Sequence, residues 1–107
     1  MQGLTYAYRA GCRIGSGSDL LGDMMVQRAA EFELKAQVMK PMEVLLSTTK
    51  VNAELFRMSD RIGTVEPGKY ADLIVVAGNP IRNLRAFQNL DNLKVIMKGG
   101  RVYKQTL

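Results

Sequence analysis

The stretch GCRIGSGSDLLG at residues 11–22 decides how this chain is expected to fold. Its first part, from Cys12 to Gly15, is short and partly apolar, and it predicts a strand that leads into a loop. The loop from Gly15 to Asp19 is rich in small residues, which are typical of backbone that turns sharply or approaches another group closely. Residues 3–10 have helix-tolerant composition and are followed by a glycine, so they are predicted to be the last turns of a helix.

A first amphipathic helix is predicted at about residues 23–39. Apolar residues recur there at spacings of three and four, which places them on one face. Glu31 and Lys35 take the other face, in the favourable i,i+4 order. The apolar stripe consists of Leu21, Met25, Ala29, Phe32, Ala36 and Met39. This helix is expected to end near Met39, because Pro41 disfavours helical geometry at the residue before it.

A second amphipathic helix is predicted at about residues 41–57. Pro41 suits its first position, where the missing N–H leaves no hydrogen bond unmade. Several β-branched residues sit together around Thr49, so a break into two short helices is expected near Lys50. The apolar stripe consists of Met42, Leu45, Leu46, Thr49, Ala53 and Phe56. Both amphipathic helices therefore need a surface to pack against.

The helical spacing of apolar residues ends at Asp60, and short strands are predicted after it. The predicted strands are residues 61–66, 71–77, 95–98 and 101–104. The second of them, ADLIVVA, is a continuous apolar and β-branched run, which is typical of a buried strand. A Pro67-Gly68 pair predicts a type II turn, and Gly99-Gly100 predicts a two-residue hairpin turn. Residues 81–93 are predicted to be irregular, with a helical turn near Leu84.

Length, composition and charge exclude several classes of protein. The chain has 107 residues, which allows one domain at most. Apolar residues make up 47% and charged residues 23%, which excludes a disordered chain. The net charge is +5, but the basic residues are scattered, so no nucleic-acid partner is expected. No apolar run is long enough for a transmembrane helix and no signal peptide is visible, so no membrane association is expected.

The chain lacks the residues from which most hydrolytic sites are built. It contains no histidine, and its acidic residues are not spaced as a recognisable ligand cluster. The single cysteine, Cys12, cannot form an internal disulfide, which suits a reducing compartment and a cytoplasmic protein. Cys12 lies in an apolar run without an imidazole to activate it, so it is expected to be buried and inert. Taken alone, the chain has no obvious catalytic site.

Four segments together resemble the C-terminal end of the metal-dependent amidohydrolase superfamily. They are GCRIGSGSDLLG (11–22), KPMEVLLSTTKVNAELF (40–56), RIGTVEPGKYADLIVVAGNPI (61–81) and VIMKGGRVYK (95–104). The resemblance covers the chain from about Gly11 to Lys104. It is closest to the prolidase-like members, also described as Xaa-Pro dipeptidases and zinc carboxypeptidases, near the imidazolonepropionases. No segment is specific by itself, and it is their order and spacing that carry the resemblance.

The resemblance implies an α/β fragment of a larger fold. Residues 1–59 would supply the last strand and helices of a (β/α)8 barrel, with the eighth strand inside residues 11–18. Residues 60–107 would supply strands to a small β-sandwich that is built jointly from the two ends of the full chain.

The resemblance also gives Asp19 a role. It would stand at the C-terminal end of the last barrel strand, where barrel enzymes place catalytic groups. The matching aspartate of the family ligates or borders the metal, accepts a proton from the metal-bound water and delivers it to the leaving amine. The mouth of the pocket would be lined by Ser18, Leu20, Leu21 and Gly22. Without the resemblance, these four are ordinary loop residues, and the favoured interpretation of Asp19 is a helix N-cap. Asp72 is expected to hold a turn.

The remaining metal ligands of the family have no counterpart in this chain. A His-x-His pair, two further histidines and usually a modified lysine would all lie upstream of Met1. Zinc takes three or four protein ligands, so the single carboxylate of Asp19 does not make a metal site.

The resemblance thus implies a hydrolase of C–N bonds in amides, including dipeptides, of small substrates. A divalent metal, expected to be zinc, would serve the full-length enzyme. This chain alone is expected to hold no catalytic metal tightly and to hydrolyse nothing. It is also expected to associate with the missing N-terminal part or with itself as an oligomer. The alternative is a stand-alone, non-catalytic module that self-associates or binds an acidic partner.

Overall fold

The computed structural model describes residues 1–17 and 29–107. The helices are α1 (Gln2–Arg9), α2 (Ala30–Lys35), α3 (Pro41–Thr48) and α4 (Lys50–Leu55), and the strands are β1 (Leu73–Val76), β2 (Leu93–Lys98) and β3 (Arg101–Gln105). Two 3-10 helices, Leu84–Gln88 and Leu90–Asn92, lie between β1 and β2. The described chain is therefore an α/β arrangement with helices first and an antiparallel sheet last. No helix within those residues has the length and apolar character needed to cross a membrane.

Helix α1 ends at Arg9, and Gly11 follows its C-cap as the stop that the sequence predicts. The φ angle of Gly11 is +77°, a conformation that glycine adopts without a Cβ clash. The N–H groups of Gly11 and Cys12 donate to the carbonyl oxygens of Tyr8 and Ala7 at 3.1 and 3.0 Å. These two bonds form a Schellman cap, which satisfies carbonyls that the helix would otherwise leave unpaired.

The strand predicted at Cys12 to Gly15 does not form in the described part of the chain. A strand exists only through hydrogen bonds to a neighbouring strand, and no described segment pairs with residues 12–17. Cys12 is exposed, so the expectation of a buried thiol is wrong. Ile14, in the same apolar run, is partly buried against the core residues Met39, Val44 and Leu84.

Helix α2 is the described part of the first predicted amphipathic helix, whose start falls among residues 18–28, outside the described residues. It ends at Lys35 rather than near Met39. The N–H groups of Gln37 and Val38 donate to the carbonyls of Leu34 and Lys35 at 3.2 and 3.0 Å. Such i→i−3 bonds tighten the last turn of a helix and shorten the regular α-helical part.

Helices α3 and α4 follow the prediction for the second amphipathic helix. Pro41 is the first residue of α3, and Thr49 separates α3 from α4. Thr49 has φ −119° and ψ −92°, which are not helical values. The predicted start at Pro41 and the predicted break near Lys50 are both confirmed.

The apolar stripe predicted for these helices is only partly correct. Ala53 is buried as expected, with 2% exposed, but Phe56 is 71% exposed. The fully buried positions of α3 are Val44 and Ser47, at 0% and 1%. Because the break at Thr49 changes the helical phase, one stripe cannot describe both helices.

The strand predicted at residues 61–66 is wrong. Residues 61–64 form turns and bends, residues 65–66 have no regular structure, and the N–H of Ile62 donates to the carbonyl of Met58 at 3.0 Å. Gly63, with φ +102°, has its Cα against α4. The Pro-Gly turn that follows is confirmed, because Gly68 has φ +89° and the N–H of Lys69 donates to the carbonyl of Glu66 at 3.3 Å.

The sheet has three antiparallel strands in the order β1-β2-β3. The register pairs Ile74 with Ile96 and Val95 with Gln105. The predicted strand at 71–77 is present but shorter, and it is not buried, since Ile74 is 49% and Val75 41% exposed. Ile74 and Val75 point to opposite faces of the sheet, so neither face of β1 is fully covered by the described residues.

The hairpin between β2 and β3 is confirmed. Gly99 and Gly100 have φ +59° and +80°, the values that a type I′ turn requires at both central positions. The Asp72 carboxylate accepts a hydrogen bond from the N–H of Gly99 at 2.7 Å, and the N–H of Gly100 donates to the carbonyl of Ala71 at 3.1 Å. Asp72 therefore holds a turn, as expected from the sequence.

One core joins the helices to the connection between β1 and β2. Its buried members are Met39, Val44 and Leu84. The rings of Phe32 and Phe87 meet edge to face with centroids 4.8 Å apart, a favourable aromatic geometry. Residues from both predicted units, 1–59 and 60–107, thus share this core.

A hydrogen bond between α1 and α3 predicts an acid-sensitive part of the stability. The Tyr8 hydroxyl donates to the Glu43 carboxylate at 2.6 Å, and this bond, with that from the Lys40 N–H, lowers the pKa of Glu43 below its ordinary value. The unfolded chain then binds the proton more readily, so this stabilisation is present at neutral pH and is lost as pH falls through the folded-state pKa. We expect Tyr8→Phe to flatten the fall in stability below about pH 4.3.

Urea unfolding at a series of acidic pH values measures this effect. The matched control is Tyr6→Phe, the same chemical change at an exposed position on α1. If stability depends on pH in Tyr8→Phe and in Tyr6→Phe as it does in the unsubstituted chain, the proposed role of this bond is contradicted.

Candidate functional site

The predicted site residues fall outside the described residues. They are the predicted catalytic and metal residue Asp19 and the predicted substrate-loop residues Ser18, Leu20, Leu21 and Gly22. The structure does describe the backbone that leads directly to them, Gly15 to Gly17, which we call the approach loop. It also describes the side chains that hold this loop.

Asn52 of α4 binds the approach loop at both polar groups of one residue. Its side-chain oxygen accepts a hydrogen bond from the N–H of Ser16 at 2.9 Å, and its side-chain nitrogen donates to the carbonyl of Ser16 at 3.0 Å. A paired donor and acceptor reproduce the pattern that a neighbouring strand would offer. Asn52 therefore gives Ser16 the pair of hydrogen bonds that a neighbouring strand would otherwise supply.

Glu31 of α2 binds the next part of the approach loop. One of its carboxylate oxygens accepts from the Ser16 hydroxyl at 3.1 Å and from the N–H of Gly17 at 3.3 Å. The same oxygen lies 3.1 Å from the ammonium nitrogen of Lys35. Hydrogen bonds to a charged acceptor are stronger than neutral ones, so Glu31 fixes the end of the loop that continues toward Asp19.

Lys35 of α2 binds the first part of the approach loop. Its ammonium nitrogen donates to the carbonyl of Gly15 at 2.6 Å and to the Ser47 hydroxyl at 3.4 Å. Its side chain is only 8% exposed. The sequence places Lys35 on the polar face of a helix, which implies that its side chain is exposed. That implication is wrong, because the approach loop lies over this face.

Gly15 fits closely against α4. A Cβ built on Gly15 would lie 2.4 Å from the Asn52 side-chain oxygen and 2.7 Å from a methyl carbon of Leu55. Any larger residue would displace the amide that holds Ser16. The glycine of this loop thus serves a close approach of backbone to a helix, one of the two uses that its composition suggests.

The described residues do not make a metal site. No group of three His, Cys, Asp or Glu side chains within residues 1–17 and 29–107 is arranged to hold a metal ion, and the full sequence contains no histidine. Glu31 is occupied by the Ser16 hydroxyl, the Gly17 N–H and the Lys35 ammonium. The donor set of the described residues therefore does not fit a catalytic zinc, which takes three or four protein ligands.

Two of the open clefts beside α4, within the described residues, differ in their lining. The one beside the approach loop, of about 530 Å³, is lined by residues that include Glu31, Thr48 and Phe87. The other, of about 700 Å³, lies between α4 and the sheet and is lined by residues that include Phe56 and Ile74. The larger cleft is mainly apolar, and none of residues 15–17 lines it.

Sequence reasoning missed the three side chains that hold the approach loop. The sequence pattern indicates Glu31 and Lys35 only as a favourable i,i+4 pair on the polar face of a helix, and it does not single out Asn52. A weak signal was available for Asn52, because asparagine is a poor residue for a helix interior and is kept there when its amide has a partner. No such signal exists for Lys35, since lysine is ordinary on a helix surface.

The described chain is an α/β segment in which helices α2 and α4 hold a glycine-rich loop. The model of the amidohydrolase family matches residues 2–103, and the chain therefore belongs to the amidohydrolase family. The predicted resemblance is confirmed.

Solved structures place the chain within that family. It matches the crystal structure of an amidohydrolase with a TM-score of 0.92 and 36% identity, over 99% of this chain and 26% of that one. It matches a prolidase complexed with N-methylphosphonate-L-proline with a TM-score of 0.90 and 32% identity, over 98% of this chain and 26% of that one. The chain thus spans about a quarter of the length of these structures.

A curated protein also shares a segment with this chain. The chain is 33% identical over 67 residues to an adenine deaminase of Rubrobacter xylanophilus, which is 63% of this chain and 11% of that protein. The matched segment is therefore a small part of that protein.

Proposed function

We propose that this chain is the C-terminal part of a metal-dependent hydrolase that cleaves C–N bonds of small amides, with dipeptides as the preferred class. The observation that carries the proposal is the likeness to the prolidase structure over 98% of this chain but 26% of that one. The proposal assigns residues 1–59 to the end of a (β/α)8 barrel and residues 60–107 to a composite β-sandwich.

In this proposal, Asp19 is the proton-transfer residue. A carboxylate at the end of the approach loop can accept a proton from the attacking water and deliver it to the leaving nitrogen. Ser18, Leu20, Leu21 and Gly22 line the entrance for the substrate. The hydrogen bonds that fix Gly15 to Gly17 support this assignment, because a positioned acid or base must be held by rigid neighbours.

The metal belongs to the rest of the enzyme in this proposal. The described residues do not fit a divalent metal, and Asp19 is the ligand that this chain would contribute. The upstream part of the enzyme would supply the other ligands. Bound there, a divalent metal such as zinc supplies an activated water and polarises the scissile carbonyl.

The exposed apolar surface supports a missing partner. Phe56, Val65 and Ile74 are 71%, 83% and 49% exposed, and the edge of β1 has no neighbour among the described strands. Exposed apolar side chains and open sheet edges are normally covered in a stable protein. We propose that the upstream part of the enzyme covers them and that, without it, the chain self-associates. A cytoplasmic location is proposed with this assignment.

The purified 107-residue chain is expected to be inactive. We expect less than one zinc per chain after dialysis and no hydrolysis of an Xaa-Pro dipeptide, because one carboxylate does not hold zinc. Zinc stoichiometry by elemental analysis and release of free proline measure these two properties. Turnover that disappears in Asp19→Ala would contradict the proposed dependence on an upstream part.

A chimera provides the positive test. This chain replaces the matching quarter of the related prolidase, and hydrolysis of a dipeptide is compared with that of the parent prolidase and of the prolidase lacking that quarter. Activity in the chimera but not in the truncated enzyme supports the proposal. A folded, zinc-loaded chimera without activity would overturn it.

The second candidate is a non-catalytic module that self-associates or binds an acidic partner. Residues 54–107 favour it, because they hold nine Lys or Arg against five Asp or Glu. The DNA upstream of the codon for Met1 distinguishes the two candidates. An open reading frame that continues upstream into a His-x-His segment supports the enzyme, whereas an in-frame stop codon supports the module.

A further inference from the structure

We propose that Lys35 is a positioning residue for Asp19, acting through the backbone of the approach loop. This inference rests on the proposed function of Asp19. Lys35 binds the carbonyl of Gly15, at the start of the loop that leads to Asp19.

The ammonium group of Lys35 is held at every donor. Its nitrogen lies 2.6 Å from the Gly15 carbonyl oxygen, 3.1 Å from the Glu31 carboxylate and 3.4 Å from the Ser47 hydroxyl. A lysine ammonium has three donors, so each has one partner. With its side chain 8% exposed, the charge has little access to water, and moving away from these partners would leave it uncompensated.

The approach loop is held at three successive residues. Lys35 binds the carbonyl of Gly15, Asn52 binds both polar groups of Ser16, and Glu31 binds the N–H of Gly17. Lys35 and Glu31 are themselves an ion pair one turn apart on α2. The first and last residues of the loop are therefore tied to one rigid element through one charge pair.

Stability alone does not explain a buried ammonium at this place. A buried ion pair costs desolvation that its attraction only partly recovers, and apolar residues of similar volume often stabilise as well or better. What the charge adds is a fixed location for the Gly15 carbonyl. Because Asp19 follows Gly17 by two residues, a shift of this backbone moves the point from which the Asp19 segment starts.

Amide hydrogen exchange on the 107-residue chain tests the proposal without needing turnover. Lys35→Met keeps the volume of the side chain and removes its donors. We expect the Ser16 and Gly17 amides to exchange about 10-fold to 100-fold faster, as the loss of a charged hydrogen bond predicts. The Val44 amide, in the core of α3, is expected to change far less. Lys69→Met is the matched control, since Lys69 is also ion-paired and mostly buried but lies far along the chain.

A uniform increase in exchange at Ser16, Gly17 and Val44 would identify Lys35 as a general stabiliser and overturn the proposal. If Lys35→Met does not fold, Lys35→Gln is measured in the same way, and the same two outcomes decide. As a rescue, Lys35→Cys in a Cys12→Ser background is alkylated with bromoethylamine in denaturant and refolded. The resulting lysine analogue is expected to restore slow exchange at Gly17, and failure to do so would count against the ammonium.

The prolidase chimera links loop position to catalysis. Lys35→Met is expected to lower kcat about 10-fold to 100-fold with KM nearly unchanged, because a small misplacement of a catalytic group costs rate rather than binding. An unchanged kcat would refute a positioning role even if exchange becomes faster. If the parent chimera is inactive, the proposed function fails, while the exchange experiment still decides whether Lys35 holds the loop.

Discussion

Gly63→Ala is expected to destabilise the chain by about 3 kcal/mol or more, from strain and overpacking together. Gly63 has φ +102°, which L side chains rarely adopt. A Cβ built on it would lie 2.6 Å from the Cβ of Ala53 and 3.3 Å from the carbonyl oxygen of Thr49. Ala53 is 2% exposed and the Thr49 carbonyl accepts the Ala53 N–H of α4, so neither atom can move without shifting the helix.

Gly68→Ala separates the two causes. Gly68 has φ +89°, but nothing lies within 4 Å of a Cβ built there. This control carries the backbone strain without the clash, and it is expected to lose about 1 kcal/mol. Thermal and urea unfolding of the two variants measure the difference. Equal losses in both would mean that 61–63 moves away from α4 freely and that the contact at Gly63 does not define the fold.

In the active chimera, Asp19→Asn is expected to lower kcat about 10²-fold to 10⁴-fold, the range that general acid–base groups contribute. Asparagine keeps the shape and the N-capping ability of aspartate but cannot accept the proton. The substitution therefore distinguishes proton transfer from the N-cap role that the residues alone favour. Steady-state hydrolysis of a dipeptide measures kcat, and unfolding in urea checks that the variant keeps its stability.

The control for this substitution is Asp72→Asn. Asp72 accepts the Gly99 N–H at the hairpin and stands outside the proposed site, so its variant is expected to keep kcat within about 2-fold while losing some stability. An Asp19→Asn chimera that retains most of its turnover would show that Asp19 only caps a helix.

Turns and helix starts were predictable because they are decided locally. Pro41 fixes its own φ and begins α3, and Gly99-Gly100 has the only residue type that takes two consecutive positive φ angles at little cost. These positions depend on a few adjacent residues. The sequence contains those residues in full, so the prediction needs nothing from elsewhere in the chain.

Strands were less predictable because a partner decides them. Residues 61–66 are richer in β-branched residues than β3, yet they fold against α4 while β3 pairs with β2. Residues 12–17 lack a ladder partner in the described chain and are held by side chains instead. The composition of a segment shows whether it suits a β-sheet. It does not show whether the segment pairs, because pairing depends on residues far away in the sequence.

The candidate site was predictable only through the family resemblance. Asp19 follows from the match of GCRIGSGSDLLG to a family motif, and no physical property of the residue sets it apart from other acids in the chain. The roles of Lys35, Glu31 and Asn52 depend on where the approach loop crosses helices α2 and α4. The spacing of apolar residues predicts the helices but not this crossing.

The side-chain anchoring of the approach loop has a consequence for assembly. Flexible segments lose conformational entropy when they dock, about 1–2 kcal/mol for each backbone residue that becomes ordered. In the described chain, Gly15 to Gly17 are already held by helices α2 and α4 before any neighbouring strand arrives. The proposed upstream part of the enzyme would therefore bind a loop whose conformation is already fixed. Its association would lose less conformational entropy than the folding of a free strand into a barrel.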